Sequence, residues 1–255
     1  YAKVSLPGGC AWGPRPIDFH LTAFEQLGIN VKLRSGYIVT KGKISEAIIE
    51  FPKSSVGATG NVIMSCIHLN GTVIIKNAAM EPEIVDLCNF LSQIGVKFSG
   101  IGTSLLEITG TNTKNNVNVK YSIIPDRIEA GTFMIACAAT KGNITLNNVD
   151  PNHLTSVISC LEKAGSKIVI NDNSLSISLN ADIKAVDIST DIYPGFPTDL
   201  QAQWISFMII AEGISSIVDN IYIDRFTHVP ELSRLGADIK MNNNKALVRG
   251  VKQLF

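Results

Sequence analysis

Four short segments recur along this chain and restrict what it can fold into: Phe24-Glu25-Gln26-Leu27-Gly28, Leu91-Ser92-Gln93-Ile94-Gly95, Leu161-Glu162-Lys163-Ala164-Gly165 and Leu232-Ser233-Arg234-Leu235-Gly236. Their glycines stand 67, 70 and 71 residues apart. Each segment reads as the end of an amphipathic helix whose glycine supplies a left-handed C-terminal cap. Each runs into a strand-like stretch such as Val96-Lys97-Phe98 or Lys167 to Ile170. A second series keeps the same period: Gly71, Gly142 and Gly213, 71 apart, each follow a small-residue apolar helix and precede a strand. One period therefore holds a strand, a loop, a buried helix, a second strand, a second helix and a closing strand pair. Lys167 to Ile170 and Ser174 to Ser178, around Asn171-Asp172-Asn173, exemplify the closing pair. This is a βαβαββ unit, and the expected class is α/β (α+β). Three units are expected, at about 46–115, 117–184 and 185–250, with the second half of another in residues 1–45. Because the chain starts in mid-unit, the repeat predicts a fragment of a longer protein.

Lys plus Arg and Asp plus Glu balance at 22 each, so no global field draws nucleic acid or an anionic membrane, and any anion site must be local. Five cysteines without a CxxC pair suggest reduced thiols, a cytoplasmic location and no zinc site. The longest apolar run, Ile205 to Ala211, is far short of a membrane span, and the first residues lack a signal pattern. A soluble protein with no membrane partner is expected.

Placed on the repeat, the unusual polar residues gather at two positions. Before the buried helix stand Lys53-Ser54-Ser55, Asp126-Arg127 with Glu129, and Pro197-Thr198-Asp199. At the start of the second helix stand Arg15 with Asp18 and His20, Glu81-Pro82-Glu83, Asp150-Pro151-Asn152-His153, and Asp224-Arg225 with His228. Both positions are helix N-termini, whose unpaired amides and positive dipole end favour anions, so a phosphorylated ligand fits them. Asp150-Pro151 and Glu81-Pro82 read equally well as ordinary caps. His68 reads as a core or groove histidine of an apolar helix. Asp126-Arg127 and Thr198-Asp199 sit beside prolines in loops flanked by buried elements, where an unpaired charge is costly.

Pro7-Gly8-Gly9-Cys10-Ala11-Trp12-Gly13-Pro14-Arg15-Pro16 suits neither helix nor strand and reads as a lid-like loop. It sets a thiol beside a cation suited to carboxylate or phosphate. Cys66, Cys88, Cys137 and Cys160 lie in apolar, helix-like stretches and read as small buried hydrophobes.

Four segments together, Leu6 to Asp18, Pro125 to Thr132, Phe196 to Gln203 and Arg225 to Leu232, resemble the UDP-N-acetylglucosamine 1-carboxyvinyltransferase family along the whole chain. The resemblance implies the enolpyruvyl transferase fold, six βαβαββ units in two domains around a cleft, as an inside-out α/β barrel. Three and a half units would be present here, as a partial first domain in 1–123 with the Cys10 loop and a partial second domain in 124–255. The implied reaction moves enolpyruvate from phosphoenolpyruvate to the 3′-hydroxyl of UDP-N-acetylglucosamine and releases phosphate. It implies no metal and no organic cofactor. By motif, Cys10 resembles the thiol that protonates C3 of phosphoenolpyruvate, and Arg15 the arginine that grips this donor. Asp199 resembles the base for the sugar hydroxyl. Arg15, Pro16, Ile17, Asp18 and Phe19, together with Lys53, Ser54, Ser55, Val56, Gly57, Asp199 and Ile221, match positions that hold the UDP-sugar. Glu81, Asp126, Arg127 and Arg225 match supporting cleft residues. Trp12, Pro14 and Met80 depart from the family's usual residues. Two other readings stay open: an acceptor change to shikimate 3-phosphate, against which Cys10 argues, and a truncated paralogue that binds a UDP-sugar without turnover.

Overall fold

A computed structural model describes residues 1–8, 16–111 and 118–255. The chain divides into two compact units, Tyr1–Ile124 and Pro125–Phe255. The first unit runs β1 (Ala2–Ser5), α1 (Asp18–Gln26), β2 (Asn30–Arg34), β3 (Tyr37–Lys41), β4 (Ala47–Glu50), α2 (Val56–Ser65), β5 (Thr72–Lys76), α3 (Pro82–Gln93), β6 (Lys97–Ser99) and β7 (Leu105–Thr109). The second runs α4 (Arg127–Ala139), β8 (Asn143–Asn147), α5 (Thr155–Lys163), β9 (Lys167–Asn171), β10 (Ser174–Ser178), β11 (Ile188–Thr190), α6 (Gln201–Met208), β12 (Ile214–Asp219), α7 (Val229–Arg234), β13 (Asp238–Asn242) and β14 (Lys245–Arg249). Short 3-10 turns at Pro151–Leu154 and Thr198–Leu200 lead into α5 and α6.

Two sheets show the complete repeat. In the orders β4-β5-β7-β6 and β11-β12-β14-β13, the first pair is parallel and the other two are antiparallel. A parallel pair needs a crossover, and α2 and α6 supply it; the closing pair needs only a tight turn. Among the described residues, the sheets β1-β3-β2 and β8-β10-β9 keep the same order without the parallel outer strand. For β1 this matches the half-unit expected at the chain's start.

For β8 it corrects the expectation of a complete unit over 117–184, since no strand occurs in residues 118–126. The reason is visible at Tyr121. Its hydroxyl donates to the Asp86 backbone carbonyl at 3.1 Å and to Asp86 Oδ1 at 2.7 Å, and its ring meets Phe90 edge-on at 5.4 Å. These contacts tie the segment to α3 of the first unit.

The helix-ending glycines take the left-handed backbone that the repeat requires, with φ of 88° at Gly28, 99° at Gly95, 108° at Gly165 and 95° at Gly236. Each unit has its own apolar core. Val62, Ile63, Val73, Ile75 and Ile108 are central to the first, and Trp204, Phe207, Leu161, Leu175 and Ile217 to the second. Alternation along β12 sends Ser215, Ile217 and Asp219 inward. Asp219, a carboxylate at a core position, anchors the site described next.

Candidate active site

In the first unit the start of α1 meets the start of α2. Phe19 stacks on Phe51, their ring centroids 6.1 Å apart, and Asn61 Nδ2 lies 2.6 Å from His20 Nδ1. Burial pushes His20 below its ordinary value, with Asp18 partly opposing, and the neutral ring can accept the amide. Gly57 explains how α2 comes so close, because a Cβ there would stand 3.3 Å from two atoms of the His20 ring. A groove of about 190 Å³ opens beside this contact, lined by Asp18, Phe19, Thr22, Phe51 and Pro52 among others. The structure thus brings together two segments singled out from sequence, Pro16 to Phe19 and Lys53 to Gly57. Pro16, Asp18, Lys53, Val56 and Gly57 are exposed, while Ile17, Phe19, Ser54 and Ser55 are half-buried. Ser55 caps α2 by accepting from the Ala58 amide at 3.3 Å. Glu81 stands at the N-terminus of α3 with its side chain buried and makes no capping bond to the helix. Thr59, fully buried on α2, accepts from the Ala79 amide at 3.1 Å and ties the approach to Glu81 onto α2.

In the second unit Asp126 caps α4, its Oδ1 accepting from the Ile128 amide at 2.8 Å and the Glu129 amide at 3.1 Å. Its exposure corrects the argument from a costly buried charge: the carboxylate keeps its water and stabilises a helix start. Arg127 lies over the Tyr193 ring, 5.6 Å from its centroid. The start of α4 and the 3-10 turn that leads into α6 are close enough that a Cβ on Gly131 would fall 2.5 Å from Leu200 Cδ1. Gln203 donates to Thr132 across the same contact. The adjoining turn carries Asp199, whose Oδ1 pairs with Arg225 Nη2 at 2.7 Å while 52% of its side chain stays exposed. Arg225 is held from several sides. Its Nη1 donates to Thr198 Oγ1 at 3.2 Å, its backbone carbonyl accepts from Gln201, and its guanidinium lies 5.7 Å from the Tyr222 ring centroid. An accessible carboxylate oriented by a largely buried cation can take a proton from a bound hydroxyl. Ile221 stands nearby in sequence, its amide donating to Asp219 Oδ1 at 3.0 Å.

Asp219 and Thr190 escaped the sequence reading. Both are fully buried, and the Thr190 hydroxyl donates to Asp219 Oδ1 at 2.8 Å. The available signal was period two along β12, which places Asp219 on the core face. His68 is a correction, for it lies exposed in the turn after α2; the helix ends at Ser65, before reaching it. Cys10 and Arg15 lie outside the described residues. Cys66, Cys88 and Cys137 are buried and Cys160 half-buried. Burial pushes all four thiols up, Cys88 to about 12. No group of His, Cys, Asp and Glu side chains suited to a metal ion occurs among the described residues, and no helix among them is long and apolar enough to cross a membrane.

Comparison with known proteins bears on this arrangement. A UDP-N-acetylglucosamine 1-carboxyvinyltransferase of Chloroherpeton thalassium is 49% identical over 256 residues, 99% of this chain and 59% of the relative. One of Campylobacter hominis is 46% identical over 250 residues, 98% of this chain and 60% of the relative. The chain therefore spans about 60% of the length of the curated relatives it matches. The crystal structure of the enolpyruvyl transferase NikO from Streptomyces tendae superposes with a TM-score of 0.85 at 19% identity, over 98% of this chain and 60% of that one. An EPSP synthase from Acinetobacter baumannii gives 0.65 at 15% identity, over 99% and 60%. Both likenesses show the enolpyruvyl transferase fold that the family resemblance implied. Since the family model of EPSP synthase (3-phosphoshikimate 1-carboxyvinyltransferase) matches residues 1–254, nearly end to end, the chain belongs to that family.

Proposed function

We propose that this chain carries part of an enolpyruvyl transferase that moves enolpyruvate from phosphoenolpyruvate to the 3′-hydroxyl of UDP-N-acetylglucosamine. This would be the first committed step of peptidoglycan synthesis, in the cytoplasm. The observation that carries the reading is Asp199, an accessible carboxylate held at 2.7 Å by Arg225 in the motif that resembles the family's base. The names of the 46–49% identical relatives support the acceptor. In this reading Asp199 takes the proton of the sugar hydroxyl as its oxygen bonds to C2 of phosphoenolpyruvate, and the Cys10 thiol gives a proton to C3. Loss of a C3 proton and cleavage of the C2–O bond to phosphate then leave the enol ether and inorganic phosphate. Arg15 grips the donor, and the segments at Pro16 to Phe19 and Lys53 to Gly57, with Ile221, hold the UDP-sugar. Glu81, Asp126, Arg127 and Arg225 support them. An epoxide phosphonate such as fosfomycin, a mimic of the donor, would alkylate Cys10.

The test is phosphate release in a chain completed to the length of its relatives. Asp199→Asn keeps the size of the side chain and removes its basicity. It should lower kcat by at least ~10²-fold, with a smaller effect on affinity for the UDP-sugar. Turnover within a few-fold of the parent would place the base elsewhere.

A further inference from the structure

Asp219 takes no part in the proposed chemistry, yet the hydrogen bonds around Asp199, Arg225 and Ile221 converge on it. Its Oδ1 accepts from Thr190 Oγ1 at 2.8 Å, from the Ile221 amide at 3.0 Å and from the Tyr222 amide at 2.9 Å. Its Oδ2 accepts from Thr198 Oγ1 at 2.8 Å. A fully buried carboxylate is costly unless its lone pairs are used, and four donors use them here.

The direction of these bonds is what matters. A guanidinium only donates and a carboxylate only accepts, whereas a hydroxyl can do either. Thr198 lies between the two, so its proton points at Asp219 and its lone pair faces Arg225 Nη1, 3.2 Å away. The same guanidinium presents Nη2 to Asp199 at 2.7 Å. We propose that Asp219 is a positioning residue. By fixing the polarity of the Thr198 hydroxyl it locks the plane of Arg225, which in turn orients the Asp199 carboxylate. Through the Ile221 and Tyr222 amides it holds the neighbouring loop in register with that plane. The consequence for turnover rests on Asp199 acting as the base; the locking of Arg225 does not.

Asp219→Asn separates polarity from shape. Three donors converge on the Oδ1 position, so the amide oxygen stays there and the NH₂ takes the place of Oδ2. That NH₂ donates to Thr198, whose proton must then turn toward Arg225, and two donors face each other. Thr198→Val removes the same relay while the Asp219 carboxylate keeps its three donors on Oδ1. In the 255-residue chain, ¹⁵N spectra should show separately resolved Nη protons for Arg225, assigned by their loss in Arg225→Lys. Asp219→Asn and Thr198→Val should both average them through faster rotation. In the completed chain each variant should lower kcat by at least ~10-fold, the scale of a misplaced reacting group, and move KM for the UDP-sugar by less than about 3-fold. The double variant should be no slower than the slower single one, because both break one relay. Resolved Nη protons in the two variants, or losses that multiply in the double, would overturn the proposal. If Asp219→Asn does not fold, Thr198→Val decides by the same two readouts. If the parent releases phosphate with shikimate 3-phosphate and not with the UDP-sugar, the acceptor reading fails and the relay is judged with that acceptor. A parent inert with both leaves the spectra to decide.

Discussion

Replacing Thr59 by valine tests how the first unit holds two of its site segments together. Thr59 is fully buried on α2, one turn beyond Ser55, and its hydroxyl oxygen accepts the Ala79 amide at 3.1 Å. Ala79 is itself 2% exposed and leads to Glu81, so water cannot readily replace that bond. Valine keeps the volume and shape of threonine, and packing changes little. The Ala79 amide loses its acceptor, and leaving a buried donor unsatisfied costs about 1–3 kcal/mol. At about 2.1 cal/mol/K per residue, a unit of roughly 120 residues unfolds with an entropy near 0.25 kcal/mol/K, so each kcal/mol lowers Tm by about 4 °C. The expected shift is a fall of about 4–12 °C in the transition of the first unit, with faster hydrogen exchange at the Ala79 amide. Thr59→Ser keeps the acceptor and loses one methyl group, about 0.8 kcal/mol, with Ala79 still protected. A valine variant within 1 °C of the parent, or with Ala79 exchange unchanged, would refute the reasoning.

Iodoacetamide at pH 7 should modify Cys10 and spare Cys66, Cys88, Cys137 and Cys160, whose thiols burial holds protonated; peptide mapping that finds another cysteine labelled first would contradict this. Burial lowers His20 and His228 from their ordinary 6.5, so the unfolded chain binds these protons more tightly. Their contribution to stability is complete above pH 6.5 and is lost as the pH falls below it; paired His20→Gln and His228→Gln changes should flatten the urea-midpoint profile between about pH 7 and 5, and an unchanged slope would count against it. Gly131→Ala gains about 1 kcal/mol of helix propensity but drives its Cβ into buried Leu200, where overpacking costs about 1–3 kcal/mol, so a net loss of up to about 2 kcal/mol is expected and a stabilised variant would show that α4 and α6 can separate.

The repeat was legible because it is written in local chemistry. Gly28, Gly95, Gly165 and Gly236 declare left-handed caps, and the alternation that follows each declares strands; neither needs a distant partner to be recognised. The strand expected after 117 failed for the opposite reason. Its residues have strand character, but Tyr121 finds its hydrogen bonds on Asp86 and its ring contact on Phe90, some thirty residues back in sequence. His68 failed by a boundary of three residues, since helix ends depend on where the chain must turn toward β5.

At the site, the sequence by itself determined which residue types stand at the helix starts. Asp126, Ser55 and Asp199 were each visible as polar residues before an apolar run. Only the tertiary structure separated their roles. Asp126 and Ser55 spend their oxygens on their own helices, while Asp199 is paired with a cation 26 positions further along the chain. It alone revealed Asp219, because one acidic residue at a strand end looks like a surface turn until Thr190, Thr198 and two amides from three separate segments are brought around it. Local preference is a property of neighbours in sequence; the burial of a charge and the polarity of a hydrogen-bonded chain are properties of neighbours in space.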